Sequence, residues 1–351
     1  GTLTGALVGT PTLASDVPTD LVLADALAAE IEADLEPAIR AANGGHSVRV
    51  VVVHPTDATG NATAQRLAAT LTLNGAATSG LANKGYYVDV DDGDPSAPSA
   101  PATVQRVNAA IGTASSATSP PDLVVVLGRS EGVTSIVAGV EAAWPPGSLT
   151  RPRYLLGDGL LVQELRTEAA TSDLLRRRIL VAARGADPLG DDVAHSFIVA
   201  YQSSIHGDSL SSTFGAEQSY DALLLALLGV AAGTSPALGA IDDSVTGSQI
   251  AAGLAQLIAP PLAGAPARVA VTLDATGTIA ALTAARGGSA LDVHGASGAL
   301  DAAMNGAGGL VQLICIVRST TDGSTSFEAS GRVYDAATSA MTGVVRADCT
   351  H

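Results

Sequence analysis

Residues 47–53, SVRVVVV, carry the clearest fold signal in the chain. Four consecutive valines leave no polar position for a solvated face, and such a β-branched run predicts a strand buried on both faces of a parallel sheet. The turn sequence HPTDATG follows at 54–60, and apolar residues then recur at helical spacing from Ala64 to Leu71. This segment is therefore interpreted as one strand–turn–helix unit of an α/β protein.

The same alternation continues to about residue 205. Repeated strand–helix–strand units predict a doubly wound parallel sheet. Further strands are predicted in GYYVDV (85–90), DLVVVLG (122–128), PRYLLGD (152–158) and RRILVAARGA (177–186), and helices near 102–112 and from Val133 to Trp144.

The pattern changes beyond residue 190. Helical periodicity dominates first, and β-rich sequence then forms the C-terminal part of the chain. The helices are predicted at 191–205, 215–233 and 246–258, and the strands at 309–318, 326–334 and 343–347.

Composition limits the possible partners. The 351-residue chain is 47% hydrophobic, which is a globular composition, and its formal net charge is −16 with Lys84 as the single lysine. Nucleic acid is not an expected partner, because binding phosphates requires clustered basic residues. The one basic cluster, Arg176–Arg178, favours a solvated helix end over an anion site. The longest apolar run, at 222–232, suits a buried helix and is too short to span a bilayer.

Two cysteines, Cys315 and Cys349, lie 349 − 315 = 34 residues apart in β-like sequence. A disulfide between them would stabilise the fold by roughly 3–4 kcal/mol in the chain-entropy model. Two buried free thiols are the alternative. The disulfide is favoured, and it would indicate an exported protein.

Catalytic and cofactor motifs are not found in the sequence. The histidines are scattered without metal-ligand spacing, no G-x-S-x-G sequence or Cys–His pair stands out, and the glycine-rich stretch near residue 295 is not a phosphate-binding loop. We therefore expect no enzyme activity, no cofactor and no metal site. The histidines are His46, His54, His195, His206, His294 and His351.

Four motifs occur in an order that resembles the type I periplasmic solute-binding proteins, which include the branched-chain amino-acid receptors of ABC transporters. They are RPRYLLGDG (151–159), TFGAEQSYDALLLAL (213–227), TGSQIAAGLAQL (246–257) and LDVHGASGALD (291–301). The sequence is most similar to the myxobacterial-type members, in which a GASG-LD corner precedes a strand with a cysteine, here Cys315. The ending SGRVYDAATSAMTG (330–343) is also similar, and the resemblance covers residues 17–349.

The resemblance implies two doubly wound lobes joined by three crossing strands, with a ligand in the cleft between them. Residues 1–205 would form the second-lobe α/β domain, 206–290 the helices of the first lobe, and 291–351 a crossing segment and C-terminal strands that return to the second lobe. The corner at 291–302 would be a crossing segment, where small residues allow close backbone packing and positive φ. Most first-lobe strands of the family have no counterpart here. Another chain or a missing N-terminal lobe would then cover helices 214–258.

Candidate ligand-binding residues follow three of the predicted strands, because ligands of open α/β sheets bind outside the carboxyl ends of the strands. The resemblance implies that Glu131 and Asp158 receive an ammonium group and Arg129 a carboxylate. Each residue also has a structural alternative: a first-turn acid for Glu131, a turn or helix cap for Asp57 and Asp158, and a strand end for His54. The candidates are His54, Thr56, Asp57, Thr59, Arg129, Ser130, Glu131 and Asp158.

The function predicted on this basis is that of a non-enzymatic, extracytoplasmic solute-binding protein. It would reside in the periplasm or at the cell surface, hold a small polar or amino-acid-like ligand and serve an ABC transporter permease. The scarcity of aromatic residues argues against a branched-chain ligand. The alternative is a structural or assembly subunit of the cell surface that has kept the fold without a ligand. An amidase-like enzyme is a more distant alternative.

Overall fold

The computed structural model describes residues 2–5, 12–15, 19–92, 120–144, 150–185, 192–201, 203, 216–235, 245–258, 269–271, 275–300 and 309–349. The chain divides into two compact units. The helix-rich unit comprises Gly1–Thr19, Arg184–Asp208 and Thr213–Leu310, and the sheet unit comprises Asp20–Ala183, Ser209–Ser212 and Val311–His351. The helix predicted near 102–112 lies outside the described residues.

The strands, numbered in chain order, are β1 Thr2–Gly5, β2 Thr12–Ser15, β3 Val50–His54, β4 Thr72–Leu73, β5 Ala76–Ala77, β6 Tyr87–Asp91, β7 Leu123–Val126, β8 Arg153–Gly157, β9 Ile179–Arg184, β10 Val269–Val271, β11 Leu291–Gly295, β12 Gly298–Ala299, β13 Leu310–Arg318, β14 Thr325–Asp335 and β15 Ala340–Gly343. The α-helices are α1 Asp20–Glu30, α2 Glu36–Ala42, α3 Ala58–Thr70, α4 Ala138–Ala143, α5 Gln163–Ala170, α6 Asp173–Arg176, α7 Asp192–Tyr201, α8 Ala216–Gly233, α9 Gly247–Ile258 and α10 Ala275–Arg286. Two π-helical stretches, Ile31–Leu35 and Gly132–Val137, precede α2 and α4.

The main sheet has the strand order β15-β14-β13-β9-β8-β7-β3-β6. The five neighbouring strands from β9 to β6 are parallel to one another, whereas β14 and β15 are antiparallel. This confirms the predicted α/β fold with a largely parallel sheet and a β-rich C-terminal segment. In chain order, the chain moves from β3 outward to β6 and then crosses to β7 on the other side of β3. The point where strand order reverses therefore lies between β3 and β7.

The valines of β3 are buried on both faces of the sheet. Val50 and Val52 pack in one core with residues of α1 and α3, including Leu27 and Leu67. The alternate side chains of β3 are also fully buried, so the opposite face is covered as well. A strand without a solvated face needs no polar alternation, which accounts for the continuous apolar run.

The two cysteines form a disulfide, with their Cα atoms 5.6 Å apart. The bond joins β13, which contains Cys315, to the C-terminal turn Ala347–Cys349. Both cysteines are buried in the same core as β3. The predicted disulfide is therefore confirmed over the two free thiols.

The prediction of a last strand at 343–347 is wrong in its position. The strand is β15, which ends at Gly343 with a φ of +81°, and Val344 beyond it is 82% exposed. The positive φ turns the chain out of the ladder, and a Cβ at Gly343 would overlap the carbonyl of Gly331. The apolar residues Val344 and Val345 therefore do not continue the strand.

The helix-rich unit has its own core. Strand β10 pairs in parallel with β11, and residues of α8, α9 and α10 pack with them, including Leu224, Leu228 and Leu254. A Cβ on Gly253 of α9 would lie 2.6 Å from the amide nitrogen of Gly233. This glycine therefore allows α8 and α9 to approach closely.

Within the predicted corner, the turn between β11 and β12 is held by a buried carboxylate. Asp221 of α8 is fully buried and accepts hydrogen bonds from the amides of Ala296 (2.9 Å) and Ser297 (2.6 Å) and from the hydroxyl of Ser297 (2.6 Å). A Cβ on Gly295 would lie 2.5 Å from that carboxylate. The turn consists of small residues because it is pressed against Asp221.

Candidate functional site

The candidate site is the carboxyl edge of the parallel strands in the sheet unit. Strands β3, β7 and β8 lie side by side in the same direction, so the loops that follow them start at one edge. The reversal of strand order between β3 and β7 leaves room at this edge, because the two following connections run to opposite sides. Of the eight predicted binding residues, His54 ends β3, and the other seven lie in the loops and first helical turns that follow the three strands.

The loop after β3 is bound to the neighbouring edge strand, β6. His54 is buried, with Nε2 3.2 Å from Oδ1 of Asp89 and Nδ1 3.0 Å from the carbonyl oxygen of Pro55. The hydrogen bond to Asp89 raises the pKa of His54, while burial acts in the opposite direction. Thr56 donates from Oγ1 to Oδ1 of Asp91 at 2.6 Å. His54 and Thr56 therefore bind carboxylates of β6 and fix the course of the loop.

Asp57 and Thr59 mark the beginning of α3. The Asp57 carboxylate accepts a hydrogen bond from the Gly60 amide at 2.7 Å, so Asp57 is the N-cap of this helix. Thr59 is exposed in the first turn, where its carbonyl accepts a hydrogen bond from the Thr63 hydroxyl. Of this pair, Thr59 presents the more accessible side chain.

The loop after β7 supplies the basic group of the edge. Arg129 is exposed, and no described residue forms an ion pair with it. Ser130 and Glu131 are half-buried and start the helical segment that continues into Gly132–Val137. The Glu131 carboxylate lies close to the Gly128 backbone, 4.0 Å from the position that a Cβ on Gly128 would take.

The loop after β8 packs directly on the loop after β7. Asp158 begins a short turn in which its carbonyl accepts a hydrogen bond from the Leu161 amide at 3.0 Å. Gly159 lies against the carbonyl of Gly128, so closely that a Cβ at this position would overlap it. This contact brings the backbone beside Asp158 next to the backbone that carries Arg129.

Two carboxylates at the edge, Asp89 and Asp91, are absent from the sequence prediction. Both side chains are accessible while Val90 between them is buried, which is the alternation of a half-exposed strand. The sequence YVDVD at 87–91 contains this signal, but it shows neither that β6 lies next to β3 nor that Asp89 meets His54.

The edge is mainly acidic. Asp57, Asp89, Asp91, Glu131 and Asp158 lie on it, against the guanidinium of Arg129 and the imidazole of His54. Such a surface attracts a cationic or ammonium group and offers one position for a carboxylate. Among the side chains that the structure describes, no group of three or more His, Cys, Asp or Glu is arranged to hold a metal ion. In the same part of the chain, no helix combines the length and apolarity needed to cross a membrane.

Comparison with known proteins gives similarities of fold. No family model and no curated protein matches the chain. Similar solved structures include a solute-binding protein of an ABC transporter from Rhodopseudomonas palustris BisB5 in complex with 3,4-dihydroxybenzoic acid, at 11% identity and a TM-score of 0.48 over 93% of this chain and 65% of that one. An ABC transporter substrate-binding protein from Desulfitobacterium hafniense matches at 13% identity and a TM-score of 0.42, over 89% of this chain and 66% of that one.

A putative branched-chain amino acid ABC transporter protein from Silicibacter pomeroyi matches at 16% identity and a TM-score of 0.42, over 95% of this chain and 66% of that one. The chain thus spans slightly less than two thirds of the length of these structures. At such identities the similarity concerns the fold and identifies no ligand of this chain.

Proposed function

We propose that the chain is a non-enzymatic, extracytoplasmic solute-binding protein of the ABC-transporter type. It holds a small polar or amino-acid-like ligand at the carboxyl edge of the sheet unit. The observation that carries this proposal is the convergence of three polar loops at the reversal of strand order, with the Gly128–Gly159 contact joining two of them.

Charged side chains on the loops after β7 and β8 define the ligand class. Arg129 has no described ion-pair partner and offers its guanidinium to a carboxylate. Glu131 and Asp158, on the same pair of loops, offer carboxylates to an ammonium group. Asp57 is the cap of α3 and His54 is bound to Asp89, so we assign to these two residues the role of shaping the loop.

The disulfide supports an extracytoplasmic location. Disulfides form and persist in oxidising compartments, and Cys315–Cys349 is buried in the main core of the sheet unit. An exported binding protein with an amino-acid-like ligand would deliver it to an ABC transporter permease, which is the partner we propose.

Ligand-dependent thermal stabilisation tests the proposal. A ligand that binds only the folded state adds about 2.7 kcal/mol of stability at 100 times its Kd, so the melting temperature should rise by several degrees with one class of zwitterion. A panel of amino acids, amines and small carboxylates covers the choices. Arg129→Gln should weaken binding at least about tenfold, because it removes a charge-assisted hydrogen bond.

Lys84→Gln is the matched control. Lys84 is exposed and precedes β6, at the opposite edge of the sheet, so this variant changes the net charge equally without touching the site. Equal loss of binding in both variants, or a melting temperature that no ligand of the panel changes, would contradict the proposal.

The second candidate function is that of a structural or assembly subunit. Large apolar side chains on α8 and α10 favour it, since Leu223 and Ile279 are 60% and 65% exposed. Under this hypothesis the chain is indifferent to every small molecule of the panel, so the same measurement separates the two functions.

A further inference from the structure

A buried carboxyl group without a partner lies in the first turn of α8. Glu217 is only 9% exposed. In the described part of the chain, its carboxyl has no hydrogen-bond or ion-pair partner apart from its own amide, and burial raises its pKa to about 7. Buried polar side chains in proteins are nearly always paired. The position of Glu217 is therefore not explained by packing alone.

The surrounding sequence supplies no cation for this carboxyl. Residues 185–267 contain no lysine and no arginine. Asp221, one turn after Glu217, raises the pKa of Glu217 further, and no basic group acts on that pKa. The amides of Ala296 and Ser297 and the Ser297 hydroxyl, which donate to Asp221, carry no charge. A positive charge that neutralises Glu217 therefore has to come from outside this part of the chain.

A second acceptor without a donor follows directly in the chain. Gln218 donates from its side-chain nitrogen to the carbonyl of Arg184 at 2.8 Å. Its side-chain oxygen, Oε1, is buried and accepts no hydrogen bond from the residues that the structure describes. Glu217 and Gln218 thus place two unpaired acceptors in the first turn of α8. A ligand group that fits them has to donate hydrogen bonds.

Aromatic rings lie beside the same turn. Tyr220 follows Glu217 by three residues, so the two side chains lie on the same side of α8. The ring of Tyr220 packs against Phe197 of α7 with centroids 5.1 Å apart, and Phe197 packs against Tyr201 at 5.9 Å. The faces of aromatic rings attract ammonium groups and pack against the carbon atoms next to them.

We propose that Glu217 and the Phe197–Tyr220 ring pair bind the ammonium group of an organic amine. Glu217 pairs with the positive charge, Gln218 accepts a further hydrogen bond, and the rings pack against the carbon atoms of the amine. A metal ion fits less well, because the described side chains include no group of three or more potential metal ligands. The site belongs to the helix-rich unit and is independent of the ligand proposed for the sheet unit.

Calorimetric titration with benzylammonium at pH 8, where Glu217 is ionised, tests this proposal. We expect saturable binding to the wild type. Benzyl alcohol, which has the same ring without the charge, should bind at least about tenfold more weakly. Glu217→Gln keeps the shape and removes the charge, so it should weaken benzylammonium binding at least about tenfold. Tyr220→Leu should weaken it about threefold or more, because it removes an aromatic face.

Asp292→Asn is the matched control, because Asp292 is an exposed acid on β11 of the same unit and the charge change is identical. This variant should bind benzylammonium like the wild type, and circular dichroism verifies that each variant folds. The proposal is overturned if the wild type does not bind benzylammonium, or binds benzyl alcohol equally well. It is overturned equally if Glu217→Gln binds like the wild type, or if Asp292→Asn loses as much affinity.

Glu131→Gln separates this site from the one proposed in the sheet unit. It should leave benzylammonium binding unchanged, because Glu131 belongs to the other unit. Binding that is lost in Glu131→Gln and kept in Glu217→Gln would assign the amine to the sheet unit and overturn the proposal.

Discussion

At the scale of single residues, His54 is a binding candidate whose imidazole is already bound by the protein. An acceptor oxygen lies beside each ring nitrogen: Oδ1 of Asp89 lies beside Nε2, and the carbonyl oxygen of Pro55 lies beside Nδ1. A neutral imidazole has one N–H and can serve one of them, whereas an imidazolium serves both. The charged form is therefore favoured, which agrees with the raised pKa of His54 that results chiefly from the Asp89 hydrogen bond.

Asp89→Asn should lower the pKa of His54, as measured by following the imidazole proton shifts against pH. The His54 pKa is raised in the folded state, so its stabilisation is complete below the unfolded value of about 6.5 and is lost as pH rises through the folded value. The variant should lose only roughly 0.5–1 kcal/mol of stability at pH 6, because solvent screens the charge of the half-exposed Asp89 side chain. Asp91→Asn, which removes a weaker neighbour, should lower the pKa less. An unchanged titration in Asp89→Asn would refute the assignment.

At the scale of elements, one carboxylate on α8 anchors the turn between β11 and β12. Asp221 and the Ala296–Ser297 turn are 75 residues apart in the chain, and three hydrogen bonds join them. Hydrogen bonds to a charged group contribute about 1.5–3 kcal/mol each, and a donor left unpaired in the core adds its desolvation cost. The turn is therefore the element of the helix-rich unit most dependent on a single side chain.

Asp221→Asn should destabilise the unit by about 3–5 kcal/mol, because the amide offers one acceptor oxygen to three donors. Ser297→Ala removes one of the bonds and should cost about 1–2 kcal/mol. Hydrogen exchange at the amides of Ala296 and Ser297 gives a local measurement. Both amides should exchange slowly in the wild type and fast in Asp221→Asn. In Ser297→Ala, the Ala296 amide should still exchange slowly. Slow exchange at both amides in Asp221→Asn would show that the carboxylate does not hold the turn.

At the scale of the whole molecule, each unit buries one glutamate whose pKa is raised to about 7 by burial: Glu30 in the sheet unit and Glu217 in the helix-rich unit. Arg332 lies 3.0 Å from Glu30 and opposes that shift, whereas the neighbouring Asp221 adds to the shift of Glu217. Because both pKa values exceed the ordinary 4.5, stability is greatest when these groups are protonated and falls as pH rises from about 4.5 to about 7.

Stability to urea should therefore decrease from pH 5 to pH 8, by up to about 3 kcal/mol for each glutamate. Glu217→Gln should leave stability unchanged at pH 5 and raise it at pH 8, because it removes the cost of a buried charge. Glu30→Gln should also raise stability at pH 8, because the attraction of Arg332 only partly offsets the cost of burying the ionised Glu30. Fluorescence of Trp144 follows the sheet unit, and circular dichroism follows the helices. Stability that is independent of pH in the wild type would contradict both assignments.

Sequence patterns were sufficient to predict the parallel sheet and the disulfide. The sheet follows from a valine run, and the disulfide from the presence of two cysteines in β-like sequence. For Asp57, the helix cap was only the alternative to a ligand contact. The prediction of a strand at 343–347 was wrong because Val344 and Val345 suggest a strand, whereas the backbone at Gly343 ends it. For the candidate site, the sequence identified the loops but not the partners of their side chains, and the ligand contacts remain a prediction.

The sequence alone specifies which segments are strands and helices, because burial on one or both faces imposes a periodicity that is legible residue by residue. It also specifies an acidic chain with little basic character. The folded chain decides the rest: that β6 lies beside β3 so that Asp89 reaches His54, that Gly159 lies on Gly128, and that Asp221 meets a turn 75 residues away. These contacts join residues distant in sequence, and their energies depend on three-dimensional neighbours that no local pattern encodes.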